Sequence, residues 1–130
     1  MRNLILPAVA TIIVLSISCR KSSDRVYDNT LPGTWKEYQS YVSIGAGGNW
    51  RNVNGITVTI NADSTYTSID EFSSWGKSGW ITDVTDSSFF INVNTTGFSP
   101  PRYCRYTIKN GVFEAWYMCI EGCGSRFRKQ

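Results

Sequence analysis

Two patterns of apolar and polar residues divide the chain. Residues 4–17 form one apolar run, LILPAVATIIVLSI. From Gly33 onward the apolar positions fall into short segments with a period of two, and no segment keeps helical spacing. The cleanest is Ile56-Thr57-Val58-Thr59-Ile60, which puts Ile56, Val58 and Ile60 on one face. Strands are predicted over residues 34–43, 56–60, 65–70, 79–84, 89–93, 102–108, 112–119 and 124–129. Turn residues separate them: Ala62-Asp63-Ser64, Asp86-Ser87, Ser99-Pro100-Pro101 and Asn110-Gly111. Asn110-Gly111 suits a type I′ turn, whose two central residues need positive φ. It sets Lys109 opposite Val112 and Cys104 opposite Tyr117. The connections leave no room for crossover helices, so neighbouring strands pair antiparallel. Eight such strands close into an up-and-down barrel or stack as a sandwich.

The first apolar run has a different meaning. It follows a single positive charge, Arg2, and is too short for a comfortable bilayer helix. Its length suits a secretion signal, which assigns residues 1–18 to a signal peptide. The run ends in Leu15-Ser16-Ile17-Ser18-Cys19, which looks like a bacterial lipobox. Cleavage there makes Cys19 an acylated N-terminus, and each buried methylene then contributes about 0.8 kcal/mol of membrane attachment. Residues 19–31 read as a lipidated N-terminus and polar tether, and 32–130 as the folded domain. The expected address is the bacterial cell envelope, with the membrane as a partner through the lipid anchor.

Composition narrows the chemistry. The chain of 130 residues carries a net charge of +3, with acids and bases interspersed, and has no basic stripe for nucleic acid. Histidine is absent, which removes the commonest general base and metal ligand. Gly45-Ala46-Gly47-Gly48 is not followed by Lys-Ser/Thr or a helix, so it reads as a mobile first loop and not a phosphate cradle. The carboxylates form no spaced catalytic pair, and most sit at turns. No catalytic residue, metal ligand set or cofactor is therefore assigned, and the expectation is a protein that is not an enzyme. Once Cys19 is acylated, Cys104, Cys119 and Cys123 remain, and an exported chain favours one bridge among them. Strand geometry admits Cys104–Cys119, and a tight turn through Glu121-Gly122 admits Cys119–Cys123. Zinc would lack a fourth ligand.

The motifs then line up in order. Gly33-Thr34-Trp35-Lys36 opens the first strand, and Gly45-Ala46-Gly47-Gly48-Asn49-Trp50 follows it. Cys119-Ile120-Glu121-Gly122-Cys123 precedes a basic last strand. This set resembles the lipocalin-like lipoproteins of bacteria, a branch of the calycins. The resemblance implies an eight-stranded antiparallel up-and-down barrel. It also implies that Trp35 closes one end and that Arg126 or Arg128 packs across its indole as a cation–π contact. The first loop would be a lid over the other end. Cys119 and Cys123 both belong to the shared motif, which favours their pairing and leaves Cys104 as a small buried hydrophobe.

Alternation makes one further prediction. With Trp35 pointing inward, Glu37, Gln39 and Tyr41 point inward too, unless a bulge re-aims the strand. A buried carboxylate is costly without a partner. The candidate pocket is therefore Glu37 and Gln39 with Tyr66, Trp80, Tyr106 and Tyr117. Trp116 and Met118 are expected on the outer face, and Trp50 and Trp75 on loops. The functional expectation is the binding or carriage of a small, mainly apolar ligand, with Glu37 setting orientation. The alternative is a filled core on an envelope lipoprotein that meets an unidentified protein partner.

Overall fold

The computed structural model describes residues 28–43, 45, 47–69, 73–120 and 122–130. The signal peptide, Cys19 and the tether up to residue 27 lie outside the described residues, as do Ala46, Asp70, Glu71 and Glu121.

The strands are β1 (Gly33–Ser43), β2 (Gly48–Asn52), β3 (Thr57–Ile60), β4 (Thr65–Ser68), β5 (Ser78–Thr82), β6 (Ser88–Val93), β7 (Arg102–Lys109), β8 (Val112–Tyr117) and β9 (Cys123–Lys129). Pairing is antiparallel throughout and runs β1-β3-β4-β5-β6-β7-β8-β9, with β9 returning to β1. Eight strands thus close a barrel, one of the two architectures the alternation admits and the one the resemblance implies. The Asn110-Gly111 turn takes φ values of 54° and 72° and sets Lys109 against Val112 and Cys104 against Tyr117.

β2 is an addition to the expected strands. The long β1 pairs with β3 through Gly33–Lys36 and with β2 through Gln39–Ser43, so β2 extends one arm of the β1–β3 hairpin. Asn49, Arg51 and Asn52 give it no apolar alternation. What holds it is Trp50, which meets Tyr41 edge-on at 5.4 Å and Trp116 at 5.4 Å on the outer face. Trp50 is therefore a strand residue, and with Tyr41 it covers the outward Trp116.

The two barrel ends differ. At one end β3–β4, β5–β6 and β7–β8 join through residues 61–64, 83–87 and 110–111. At the other, residues 69–77, 94–101 and 118–122 join the strands, and the first two of these connections are longer than any at the first end. The tight-turn end is sealed. Trp35 is wholly buried, its Nε1 donates to the Leu31 carbonyl at 2.8 Å, and its ring packs 5.4 Å from Phe113. Phe113 stacks on Phe127 at 5.2 Å. Above them Tyr66, Trp75, Phe89 and Ile91 complete a filled core.

The basic group over Trp35 is Lys129, with Nζ 5.2 Å from the ring. This corrects the expectation for Arg126 and Arg128. Lys129 pairs directly opposite Trp35 and shares its inward face, while Arg128 and Arg126 fall on the outside. There Arg128 lies over Tyr38 at 4.3 Å and Arg126 over Trp50 at 3.9 Å. Lys129 also explains the glycine of the Gly-x-Trp motif. Gly33 has φ of 143°, and a Cβ there would sit 2.6 Å from the Lys129 Cε as that side chain crosses to the indole.

Candidate functional site

The longer connections surround an open cup of about 740 Å³, within the range of small-molecule sites. Its walls come from β1, β8 and β9 and its rim from the 118–122 connection. Its floor is Trp75, carried by the β4–β5 connection and folded into the barrel. The indole Nε1 donates to the Tyr117 hydroxyl at 2.9 Å, and the Tyr66 hydroxyl donates to the Trp75 carbonyl. Tyr66 and Phe89 hold its ring edge-on and tilted, at 5.1 and 5.7 Å. Trp75 thus separates the filled core below from the cup above.

One irregularity shapes the wall. β1 carries an extra residue at Tyr38, so Glu37 faces Phe127 while Gln39 faces Arg126. Glu37 stays inward, Tyr38 and Gln39 turn outward, and Ser40 and Val42 return to the cup. Residues 53–56, between β2 and β3, bend beside the bulge. Val53 N–H donates to the Tyr38 carbonyl, and Glu37 N–H to the Ile56 carbonyl, both at 2.9 Å. Ile56 N–H donates to Glu37 Oε2 at 3.2 Å. Lys36 Nζ holds the Gly55 carbonyl at 2.5 Å. A Cβ at Gly55 would lie 2.0 Å from Glu37 Oε2, so glycine makes room for the carboxylate.

Of the six residues proposed from sequence for the pocket, Glu37 and Tyr117 line the cup. Tyr66 and Tyr106 point inward but belong to the filled part. Tyr106 packs 5.2 Å from Phe89, and its hydroxyl donates to the Thr85 carbonyl at 2.7 Å. Gln39 is corrected to the outer face by the bulge. Its amide donates to Asn52 Oδ1 at 3.0 Å, and its carbonyl oxygen accepts from Arg126 Nη1 at 3.3 Å. Trp80 is also outside, 48% exposed, because Gly79 pairs with the inward Tyr66 and the neighbouring Ile81 takes the core position. Tyr41, expected inward, is likewise outward after the bulge. Sequence reasoning missed Ser40, Val42, Ile56, Ser125 and the floor position of Trp75. An indole in a connection between two strands was the one available signal.

The outer face above Gln39 forms a belt. Glu114 accepts from Arg126 Nε at 2.7 Å and from Trp116 Nε1 at 2.8 Å. With Trp50, Tyr41 and Gln39 this fastens β2 to the barrel and occupies Arg126.

Burial sets the protonation of the floor. It pushes the Tyr117 phenol far above its ordinary range, with Cys104 a second cause, so Tyr117 stays a neutral hydroxyl. Burial also pushes the Tyr66 phenol up to about 12 and the Cys104 thiol up to about 12. Cys104 is a packed, unreactive thiol beside the core. Cys119 and Cys123 are joined in a disulfide at the rim, the pairing favoured by the motif. At the opposite end Asp28 is held down to about 2, first by the Thr30 hydroxyl and then by Lys129, which pairs with it at 2.9 Å. Among the described residues no group of three or more His, Cys, Asp or Glu is placed to hold a metal ion.

No protein-family model, curated protein or solved structure matches the chain.

Proposed function

We propose that this protein is a lipocalin-like lipoprotein of the bacterial envelope, acylated at Cys19, that binds a small molecule in the cup and does no covalent chemistry on it. The observation that carries this reading is the cup itself: an open cavity of about 740 Å³ with a fixed aromatic floor and, among its described lining, one inward carboxylate. Such a mixture of apolar surface and a few placed polar groups is what a small ligand needs. The wall is more hydroxylic than a purely apolar cargo requires, since Ser40, Ser125 and Tyr117 join Val42, Ile56 and the disulfide. The described chain enters at the sealed end, where Asp28 and Leu31 meet Lys129 and Trp35. An anchor at Cys19 would leave the mouth unobstructed.

A second reading, contact with an envelope protein, draws support from the exposed apolar residues Ile69, Phe98, Met118 and Ile120 on the mouth connections.

Mass spectrometry of protein purified gently from its native envelope tests the first reading. The expected result is an acyl mass on Cys19 and a co-purified small molecule. Titration with a broad panel of lipids, hemes and aromatics adds a second test. Trp75 is the cup's only tryptophan, so bound ligand should change the emission of the native protein and not that of Trp75→Phe. An unmodified Cys19 removes the anchor from the proposal. Flat emission across the panel with no passenger removes the ligand.

A further inference from the structure

Resting on the reading of the cup as a ligand site, we infer that the ligand is a small organic amine, whose ammonium group Glu37 receives and whose short apolar body lies on Val42, Ile56 and Trp75. Glu37 is the only acidic or basic side chain among the described cup-lining residues. A carboxylate has several acceptor sites and no donor. Among the described residues Oε2 takes the Ile56 N–H, and Oε1 has no protein partner.

Among the described residues no cation lines the cup, and most of those nearby are engaged elsewhere. Lys36 holds the Gly55 carbonyl, Arg126 pairs with Glu114, Lys129 pairs with Asp28, and Arg102 donates to the Ser74 carbonyl. Arg128 lies over Tyr38 on the outside. Arg51, opposite Ser40 on β2, is exposed and outside the cup lining. The described cup lining therefore presents one carboxylate, against a wall that is otherwise apolar or hydroxylic. A cation with N–H donors complements it, and charge-assisted bonds to a carboxylate are about twice as strong as neutral ones. A second carboxylate in the ligand would be repelled.

The simplest competing role for Glu37 is structural. It ties the bulge on β1 to the bend at residues 53–56 through the Ile56 N–H. Glutamine would serve that purpose equally, because its side-chain oxygen accepts the same bond. The charge itself is what a ligand would use, and this separates the two roles.

The test is calorimetric titration of the full chain, in mild detergent, with 2-phenylethylammonium, 2-phenylethanol and 3-phenylpropionate. These share one apolar body and differ in head group. The expected order is ammonium tighter than alcohol by about tenfold or more, with no detectable binding of the carboxylate. In Glu37→Gln the ammonium should lose its advantage over the alcohol. Equal binding of ammonium and alcohol by the native protein overturns the inference and leaves the cup standing as a neutral ligand site. Unchanged ammonium affinity in Glu37→Gln does the same. Failure of all three probes also overturns it, and the emission panel then decides whether the cup binds anything. The comparison of head groups on the native protein needs no variant, so a folding defect in Glu37→Gln cannot obscure it.

Discussion

The two ends of this barrel are built on opposite plans. At the sealed end short turns bring the strands together, and Trp35, Phe113 and Phe127 fill the space with Lys129 laid across the indole. At the mouth two of the three connections are longer, and the interior side chains shrink to Ser40, Val42 and Ser125 above Trp75. The same alternation of residues runs through both. What differs is side-chain volume and the bulge at Tyr38, which turns a continuous inward row into one that skips outward and returns. Stability is concentrated where large rings meet, and the open cup lies where they are missing.

Substitutions should separate the ends. Trp35→Ala removes the largest ring from the sealed end and should cost about 3–5 kcal/mol in urea unfolding. Ser40→Ala in the cup should leave the urea midpoint nearly unchanged, and a large loss there would break the division. Replacing both Cys119 and Cys123 by serine opens only a small loop at the rim, so the expected loss is about 2 kcal/mol. Gly55→Ala should displace the Glu37 carboxylate, costing about 1 kcal/mol as mild overpacking. Its clearer effect should be weaker binding of 2-phenylethylammonium with the sealed-end core intact by near-ultraviolet dichroism.

The smallest effect is a pH dependence at the sealed end. The carboxyl of Asp28 is held down to about 2 in the folded chain, below its ordinary value of 3.8. A lowered folded value means that its contribution to stability is present above about pH 4 and is lost as pH falls through 2. Asp28→Asn should therefore flatten the decline of the urea midpoint between pH 4 and pH 2. An equal slope in both proteins would show that the Thr30 and Lys129 contacts of Asp28 hold nothing in solution, the usual outcome for exposed pairs.

How far the sequence foretells this molecule follows from which forces act locally. Alternation and turn chemistry are local, so the eight barrel strands and the Cys104–Tyr117 register are readable from the chain. β2 is not, because residues 48–52 lack alternation and are held by rings from β1 and β8. The bulge at Tyr38 is equally hidden, since it exists only through its pairing with the bend at residues 53–56. That one extra residue sends Gln39 and Tyr41 outside and brings Ser40 in. The placement of Lys129 instead of Arg126 or Arg128 over Trp35 is a matter of parity across β1 and β9, fixed only once their register is known. Glu37 lines the cup because it precedes the bulge.

Trp75 reaches the interior from a connection of nine residues, 69–77, and not from a stave of the barrel. The capacity of the vessel then depends on a side chain that no strand of the cylinder carries. A smaller side chain at position 75 would deepen the hollow toward Phe89 and Phe113 while every strand kept its neighbours. The same walls around a different residue at position 75 would enclose a hollow of a different depth.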